Sequence, residues 1–104
     1  MKPAFTPGPW VPNKYRVYGP DTRVVAYARG LNNKERTPED EANARLIAAA
    51  PELLDDAKKL VNEVSGMMGA PELRALVGNT NFAVLQERWE KMRETIDKAE
   101  GWEA

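Results

Sequence analysis

The chain has 104 residues, of which 42% are hydrophobic and 30% are charged, a composition typical of one soluble globular domain. It contains no cysteine and no histidine, which excludes disulfides, thiolate nucleophiles, serine–histidine–aspartate triads and the usual zinc ligands. No apolar run approaches the roughly 20 residues of a membrane-spanning helix, and prolines stand where a secretory signal would be apolar. We therefore expect a protein of the cytosol.

The net charge of −1 hides an asymmetry along the chain. Residues 1–36 hold seven basic and two acidic groups, a net charge of +5, whereas residues 37–104 hold eight basic and 14 acidic groups, a net charge of −6. Such segregation is typical of proteins that meet nucleic acid, an anionic ligand or an acidic partner surface. We predict a single domain over 1–104, with an extended segment and basic hairpin in 1–36 and an acidic helical part in 37–104.

A β-hairpin is predicted after the proline-rich start. Residues 15–18 form its first strand, the sequence Gly-Pro-Asp-Thr at 19–22 fits a type I turn, and residues 23–29 return. Because an isolated hairpin is marginal in water, Trp10 and Val11 are expected to add a third strand. The polar residues 30–36 are predicted to form a loop.

Alternation along the hairpin sorts its side chains onto two faces. Pairing of Tyr18 with Arg23 places Val17 opposite Val24 and Arg16 opposite Val25. The predicted core face carries Tyr15, Val17, Val24, Ala26 and Ala28. The predicted binding surface is the other face, where cations alternate with aromatic rings at Lys14, Arg16, Tyr18, Arg23, Tyr27 and Arg29. Such a face suits bases or nucleotides, protects an edge strand from aggregation, or docks on the acidic helices of a neighbouring subunit.

Three to four helices are predicted from residue 37 onward. Thr37 followed by Pro38 and three acidic residues is typical of a helix start, and Pro51 is expected to break or restart the helix. Gly66 is predicted to end the second helix, and a short helix follows over Pro71–Val77. Gly101 is predicted to end the last helix. The acidic clusters at 39–41 and 55–56 are interpreted as a helix N-terminus and a solvated face, so no metal is expected.

The last helix has an amphipathic pattern of the coiled-coil type. Its apolar residues are spaced alternately by three and four positions, which forms a narrow seam. Such a seam packs along another helix of the same chain or against a second copy, and we expect a homodimer. The fold class is therefore α+β, a hairpin followed by helices. The seam residues are Phe82, Leu85, Trp89, Met92, Ile96 and Ala99.

Two segments resemble a known family. Residues 6–10 (TPGPW) and 41–54 (EANARLIAAAPELL) are similar to the paired signature of small tailed-bacteriophage and prophage proteins. The resemblance implies a phage accessory protein that works in the cytoplasm of the bacterial host, and it implies no reaction. Within the longer segment, the polar residues Asn43 and Arg45 are singled out, and they either hold the helix against residues 6–10 or bind a ligand.

The leading hypothesis is a non-enzymatic, cofactor-free phage protein that binds and blocks a host protein, as counter-defence and host-takeover factors do. The first alternative is an oligomeric sponge that sequesters a nucleotide signal through the cations and tyrosines of the hairpin. The second is direct binding of nucleic acid, which the acidic remainder of the chain disfavours.

Overall fold

The computed structural model describes residues 5–29 and 37–101, and within these ranges it has three strands and four helices. The predicted α+β class is therefore confirmed, and the predicted loop at 30–36 lies outside the described residues. Contacts divide the described residues into two compact units, 5–53 and 54–101. The elements are β1 (Val11–Asn13), β2 (Arg16–Tyr18), β3 (Val24–Tyr27), α1 (Pro38–Ala48), α2 (Ala50–Met68), α3 (Pro71–Val77) and α4 (Asn79–Glu100).

The three strands form one antiparallel sheet in the order β1-β2-β3, so the expected third strand is present. Its register differs from the prediction, because Val17 pairs with Ala26 rather than with Val24. The turn is one residue longer than predicted: the amide of Gly19 donates to the carbonyl of Arg23 at 2.8 Å. The pairing of Val17 is thus shifted by two residues from the prediction. The longer turn accounts for one of them, and an irregularity in the ladder between Val17 and Tyr18 accounts for the other.

The core of the unit 5–53 lies between the sheet and α1. Val17 and Ala44 are fully buried, and Ala28 and Ala48 are nearly so. Ala44 and Ala48 lie four residues apart on one face of α1. Their small side chains let the helix backbone come close to the strands. The prediction that Val17, Ala26 and Ala28 face the core is confirmed. Val25 was assigned to the outer face, which is wrong, because the longer turn and the irregularity let it pack against this cluster.

Helix α1 begins at a capping box. The Thr37 side chain accepts a hydrogen bond from the amide of Asp40 at 3.2 Å, and the Asp40 carboxylate accepts one from the amide of Thr37 at 3.1 Å. These bonds explain why Asp40 is only 4% exposed. The predicted break near Pro51 is also confirmed: α1 ends at Ala48 and α2 starts at Ala50, so the proline lies in a first turn that needs no amide from it.

In the unit 54–101, the predicted ends of the two long helices had opposite outcomes. Gly101 ends α4 in the left-handed conformation, with φ at 81°, as a C-terminal glycine commonly does. The prediction that Gly66 ends α2 is wrong, because the helix continues to Met68. Its glycine does not have a positive φ, and the space around it is open, so the helix passes through it without strain.

The seam of α4 packs along α2 of the same chain. The indole N–H of Trp89 donates to the Val61 carbonyl at 3.3 Å and to the Ser65 hydroxyl at 3.0 Å. Phe82 and Ile96 are 7% and 8% exposed. Leu85 is half-buried, and Met92 remains 38% exposed. An ion pair of 2.7 Å between Lys58 and Glu100 joins the same two helices. The homodimer through this seam stays a prediction.

Substitution of Ala44 should test the close approach of α1 to the sheet. Ala44→Leu is expected to lower the free energy of unfolding by about 1–3 kcal/mol, because the added methyl groups have no free space to occupy. The matched control Ala42→Leu, at an exposed position of the same helix, should change it by less than about 0.5 kcal/mol. Urea unfolding followed by circular dichroism measures both, and equal effects would contradict the packing described.

The two glycines of the helical unit should respond to alanine in opposite directions. Gly66→Ala is expected to raise the free energy of unfolding by about 0.5–1 kcal/mol, since alanine is the better helix former and the new Cβ meets no neighbour. Gly101→Ala should lower it by about 1–2 kcal/mol, because alanine is strained at positive φ. A stabilising Gly101→Ala in urea unfolding would show that α4 does not end there.

Candidate functional site

The outer face of the sheet, opposite α1, is the candidate site. Val17 points to the core, so its strand neighbours Arg16 and Tyr18 point away from it. The register places Arg16 directly beside Tyr27 of β3 and Tyr18 beside Val11 of β1. Three of the residues predicted for the binding surface therefore share one face.

The guanidinium of Arg16 lies at the centre of a group of tyrosines. Its Cζ atom is 5.3 Å from the ring centroid of Tyr15 and 5.7 Å from that of Tyr27, and the two rings are stacked with centroids 6.2 Å apart. The same guanidinium donates hydrogen bonds to the hydroxyl of Tyr18 at 3.4 Å and to that of Tyr15 at 3.3 Å. Four side chains thus hold one another in a defined arrangement.

A second arginine joins the group from the end of β3. The Cζ atom of Arg29 lies 5.4 Å from the ring centroid of Tyr15, so this ring contacts two guanidinium groups. Tyr27 is 61% exposed, which leaves much of its surface open to solvent. We call this group the tyrosine–arginine cluster. It comprises Tyr15, Arg16, Tyr18, Tyr27 and Arg29.

The hydrogen bonds within the cluster favour the charged form of Arg16. The hydrogen bond to Tyr18, followed by that to Tyr15, raises the pKa of the Arg16 guanidinium above its usual value. A guanidinium has five N–H donors, and the tyrosine hydroxyls take only two of them. Donors therefore remain for an external acceptor such as a carboxylate, which arginine binds through two parallel hydrogen bonds.

Two cations of the predicted surface lie outside the cluster. Lys14 is exposed in the β1–β2 turn with φ at 60°, and Arg23 is exposed in the β2–β3 turn. Arg23 is bound locally to Asp21, which accepts from its amide at 3.2 Å and forms a weak ion pair of 3.8 Å with its side chain. Because the turn is longer than predicted, Arg23 does not pair with Tyr18, and no described contact joins it to the cluster.

Tyr15 is the cluster residue that the sequence interpretation missed. Strand alternation assigned it to the core face, but residues 14 and 15 form a turn, and the positive φ of Lys14 interrupts the alternation. Tyr15 is consequently half-buried beside Arg16 instead of facing α1. The available signal was the closeness of Lys14 and Tyr15 to a tight turn, where period-two reasoning does not apply.

An apolar recess adjoins the cluster on the same unit. Its volume is about 550 Å³, and Tyr18 belongs both to it and to the cluster. Val11, the register partner of Tyr18, is 54% exposed on the edge strand. The recess is lined by Pro9, Val11, Tyr18, Gly19, Pro20 and Thr22.

Asn43 and Arg45, the two residues singled out in the 41–54 segment, are both exposed on α1. Asn43 lines a cleft of about 490 Å³ together with Tyr27 and Glu39, whereas no described hydrogen bond or ion pair involves the Arg45 side chain. Contact between residues 6–10 and the helices is made by other groups. Trp10 packs against the alanine cluster, and a Cβ added to Gly8 would lie 2.9 Å from the Cβ of Pro51.

The described residues offer no metal-binding cluster and no helix that could cross a membrane. Over 5–29 and 37–101 no group of three or more acidic side chains is arranged to hold a metal ion. Within the same ranges, no helix is both long and apolar enough to span a bilayer.

The fold and the cluster define a small α+β protein that presents a cation–tyrosine surface on the outer face of its sheet. The chain belongs to a bacteriophage protein family, because residues 1–103 match the family described as Salmonella phage P22 protein Y8K6. The resemblance to phage proteins is confirmed at this level. Neither a curated protein nor a solved structure matched the chain.

Removal of the central guanidinium should release the rings of the cluster. In Arg16→Ala, we expect the ring-proton resonances of Tyr15 and Tyr27 to move, because Tyr27 loses the cation over its ring and Tyr15 loses one of two. The control Arg23→Ala removes an equal charge from the same sheet without touching these rings. Two-dimensional NMR of the tyrosine rings measures the effect, and circular dichroism checks the fold. Unchanged ring resonances in Arg16→Ala would contradict the arrangement.

Proposed function

We propose that this phage protein is a non-enzymatic accessory protein of the host cytoplasm that binds a host protein and blocks it. The tyrosine–arginine cluster and the adjoining apolar recess make the contact, and they meet an acidic region of the host protein. Membership in a phage family supports a role inside the bacterial host, and the geometry of the sheet supports binding to a protein surface.

The observation that carries the proposal is the fixed position of Arg16 between tyrosines at a solvent-exposed site. Tyrosine and arginine are enriched among the residues that dominate binding energy in protein interfaces. Side chains that already hold one another lose less conformational entropy when a partner arrives. An acidic partner would find free guanidinium donors beside exposed ring surface, with the recess next to them for an apolar side chain.

The geometry gives less support to a nucleotide sponge. Small ligands are usually bound in concave sites that bury most of their surface. Arg16 lines none of the described clefts, and the cleft beside Arg29 includes the carboxylates of Glu39 and Asp40, which repel phosphate. Arg23, a cation on which that hypothesis depends, lies apart from the cluster.

Nucleic-acid binding also fits the sheet poorly. Affinity for a polyanion grows with the number of phosphates that are neutralised, so it requires an extended set of cations. The cluster contains two arginines, and the described helices carry many carboxylates that disfavour a long phosphate backbone. Protein recognition needs only a small, well-packed set of residues.

The first experiment locates the contact by photo-crosslinking. The full chain with p-benzoylphenylalanine in place of Tyr27 is exposed to host lysate and irradiated, and the matched control carries the same group in place of Asp21. We expect one host protein to be crosslinked from position 27 and not from position 21. Equal crosslinking from both positions, or recovery of nucleic acid only, would overturn the proposal.

Calorimetry with the purified host protein then tests the residues. Arg16→Ala should weaken binding by at least about tenfold, as expected for a central interface arginine. Arg23→Ala removes the same charge from the same sheet and should change the affinity by less than about twofold. If both variants weaken binding equally, net charge rather than the cluster is responsible. Tight, stoichiometric binding of a nucleotide in a parallel panel would favour the sponge.

A further inference from the structure

The helical unit 54–101 contains a cleft that is separate from the sheet and its cluster. It lies where the turn between α2 and α3 faces the first half of α4, and its volume is about 420 Å³. This volume falls within the range of natural small-molecule sites. The wall from the turn includes Met68, Ala70 and Pro71, and the wall from α4 includes Phe82 and Trp89.

The side chains of these wall residues are apolar, and three of them carry rings. Such side chains favour a flat hydrocarbon or aromatic ligand. The ligand gains dispersion contacts with them, and its apolar surface is removed from water. The Trp89 ring is held in place, because its N–H donates to the Val61 carbonyl and to the Ser65 hydroxyl of α2. A wall fixed in this way needs little reorganisation when a ligand binds.

One cation, Arg74, lines this cleft, and a second, Arg93, lies outside the lining with its Cζ atom 4.8 Å from the ring centroid of Trp89. The Cζ atom of Arg74 lies 4.5 Å from the ring centroid of Phe82, so the guanidinium rests on the ring. None of the described hydrogen bonds uses the five N–H donors of this guanidinium, so they stay available. No carboxylate of the described residues lies within ion-pair distance of Arg74, so this positive charge is not neutralised there.

The lining has no acidic residue, and Gln86 adds an amide to it. The cleft beside α1 differs in this respect, since Glu39 and Asp40 take part in its lining. Charge complementarity therefore selects an anion for the helical cleft. A guanidinium binds a carboxylate through two parallel hydrogen bonds, which is the strongest pairing that this side chain offers.

We propose that the cleft binds a small aromatic carboxylate, whose ring lies between Pro71 and Trp89 and whose carboxylate is held by Arg74. This activity uses none of the residues of the tyrosine–arginine cluster. It adds a ligand site in the helices to the protein-binding surface of the sheet, and either function can fail without affecting the other.

The probe is 2-naphthoate, and its neutral control is 2-naphthamide, which has the same ring and nearly the same shape. Titration of the isotope-labelled full chain is followed by NMR, at the side-chain N–H signals of Arg74, Gln86 and Trp89. We expect 2-naphthoate to shift these signals and to bind at least about tenfold more tightly than 2-naphthamide, since a charge-assisted hydrogen bond is lost in the amide.

Two variants test the contribution of Arg74 separately from that of the apolar walls. Arg74→Gln should weaken the binding of 2-naphthoate by about tenfold, so that it binds no more tightly than 2-naphthamide. Arg88→Gln removes the same charge from an exposed position of α4 outside the cleft and should leave both affinities unchanged. Circular dichroism confirms that each variant is folded.

Three results would overturn the proposal. They are equal binding of the two probes by the native chain, shifts confined to residues outside the cleft, and no binding of 2-naphthoate up to about 1 mM. Since the signals of Arg74, Gln86 and Trp89 report on the cleft and not on the sheet, each result leaves the host-protein proposal to its own experiment.

Discussion

The close contact of α1 with the sheet is the constraint on which the candidate site depends. Val17 and Ala44 exclude water completely at this contact, and alanine lets the helix approach without a bulky side chain between the backbones. Because one face of β2 is buried against α1, the alternate residues Arg16 and Tyr18 must point to solvent. The candidate binding surface is thus a direct consequence of how the core of this unit is packed.

On that outer face, a single guanidinium organises the aromatic rings. Arg16 contacts Tyr15 and Tyr27 through their faces and Tyr18 through its hydroxyl. Each contact is modest at an exposed site, but together they restrict four long side chains to one arrangement. The helical unit repeats this device at Arg74, which lies over the ring of Phe82. In both places an arginine is positioned by an aromatic ring and keeps donors available for an anion.

Much of the architecture was predictable because local chemistry decides it. Pro51 cannot lie in a helix interior, so the break before α2 follows from the residue itself, and the left-handed glycine at 101 ends α4 for an equally local reason. Gly66 was mispredicted because glycine permits a helix end without requiring one. The helix continues through Gly66 to Met68, since the cost of one glycine inside a helix is only about 1 kcal/mol.

The sequence by itself determined the α+β class, the phage kinship and the presence of cations and tyrosines in the strands, since these depend on residue type, spacing and turn chemistry. Only the tertiary structure decided which of them come together. The longer turn removed Arg23 from the group, and the turn at Lys14 brought Tyr15 into it. Strand register depends on turn length and on packing against α1, and neither can be read from alternation alone.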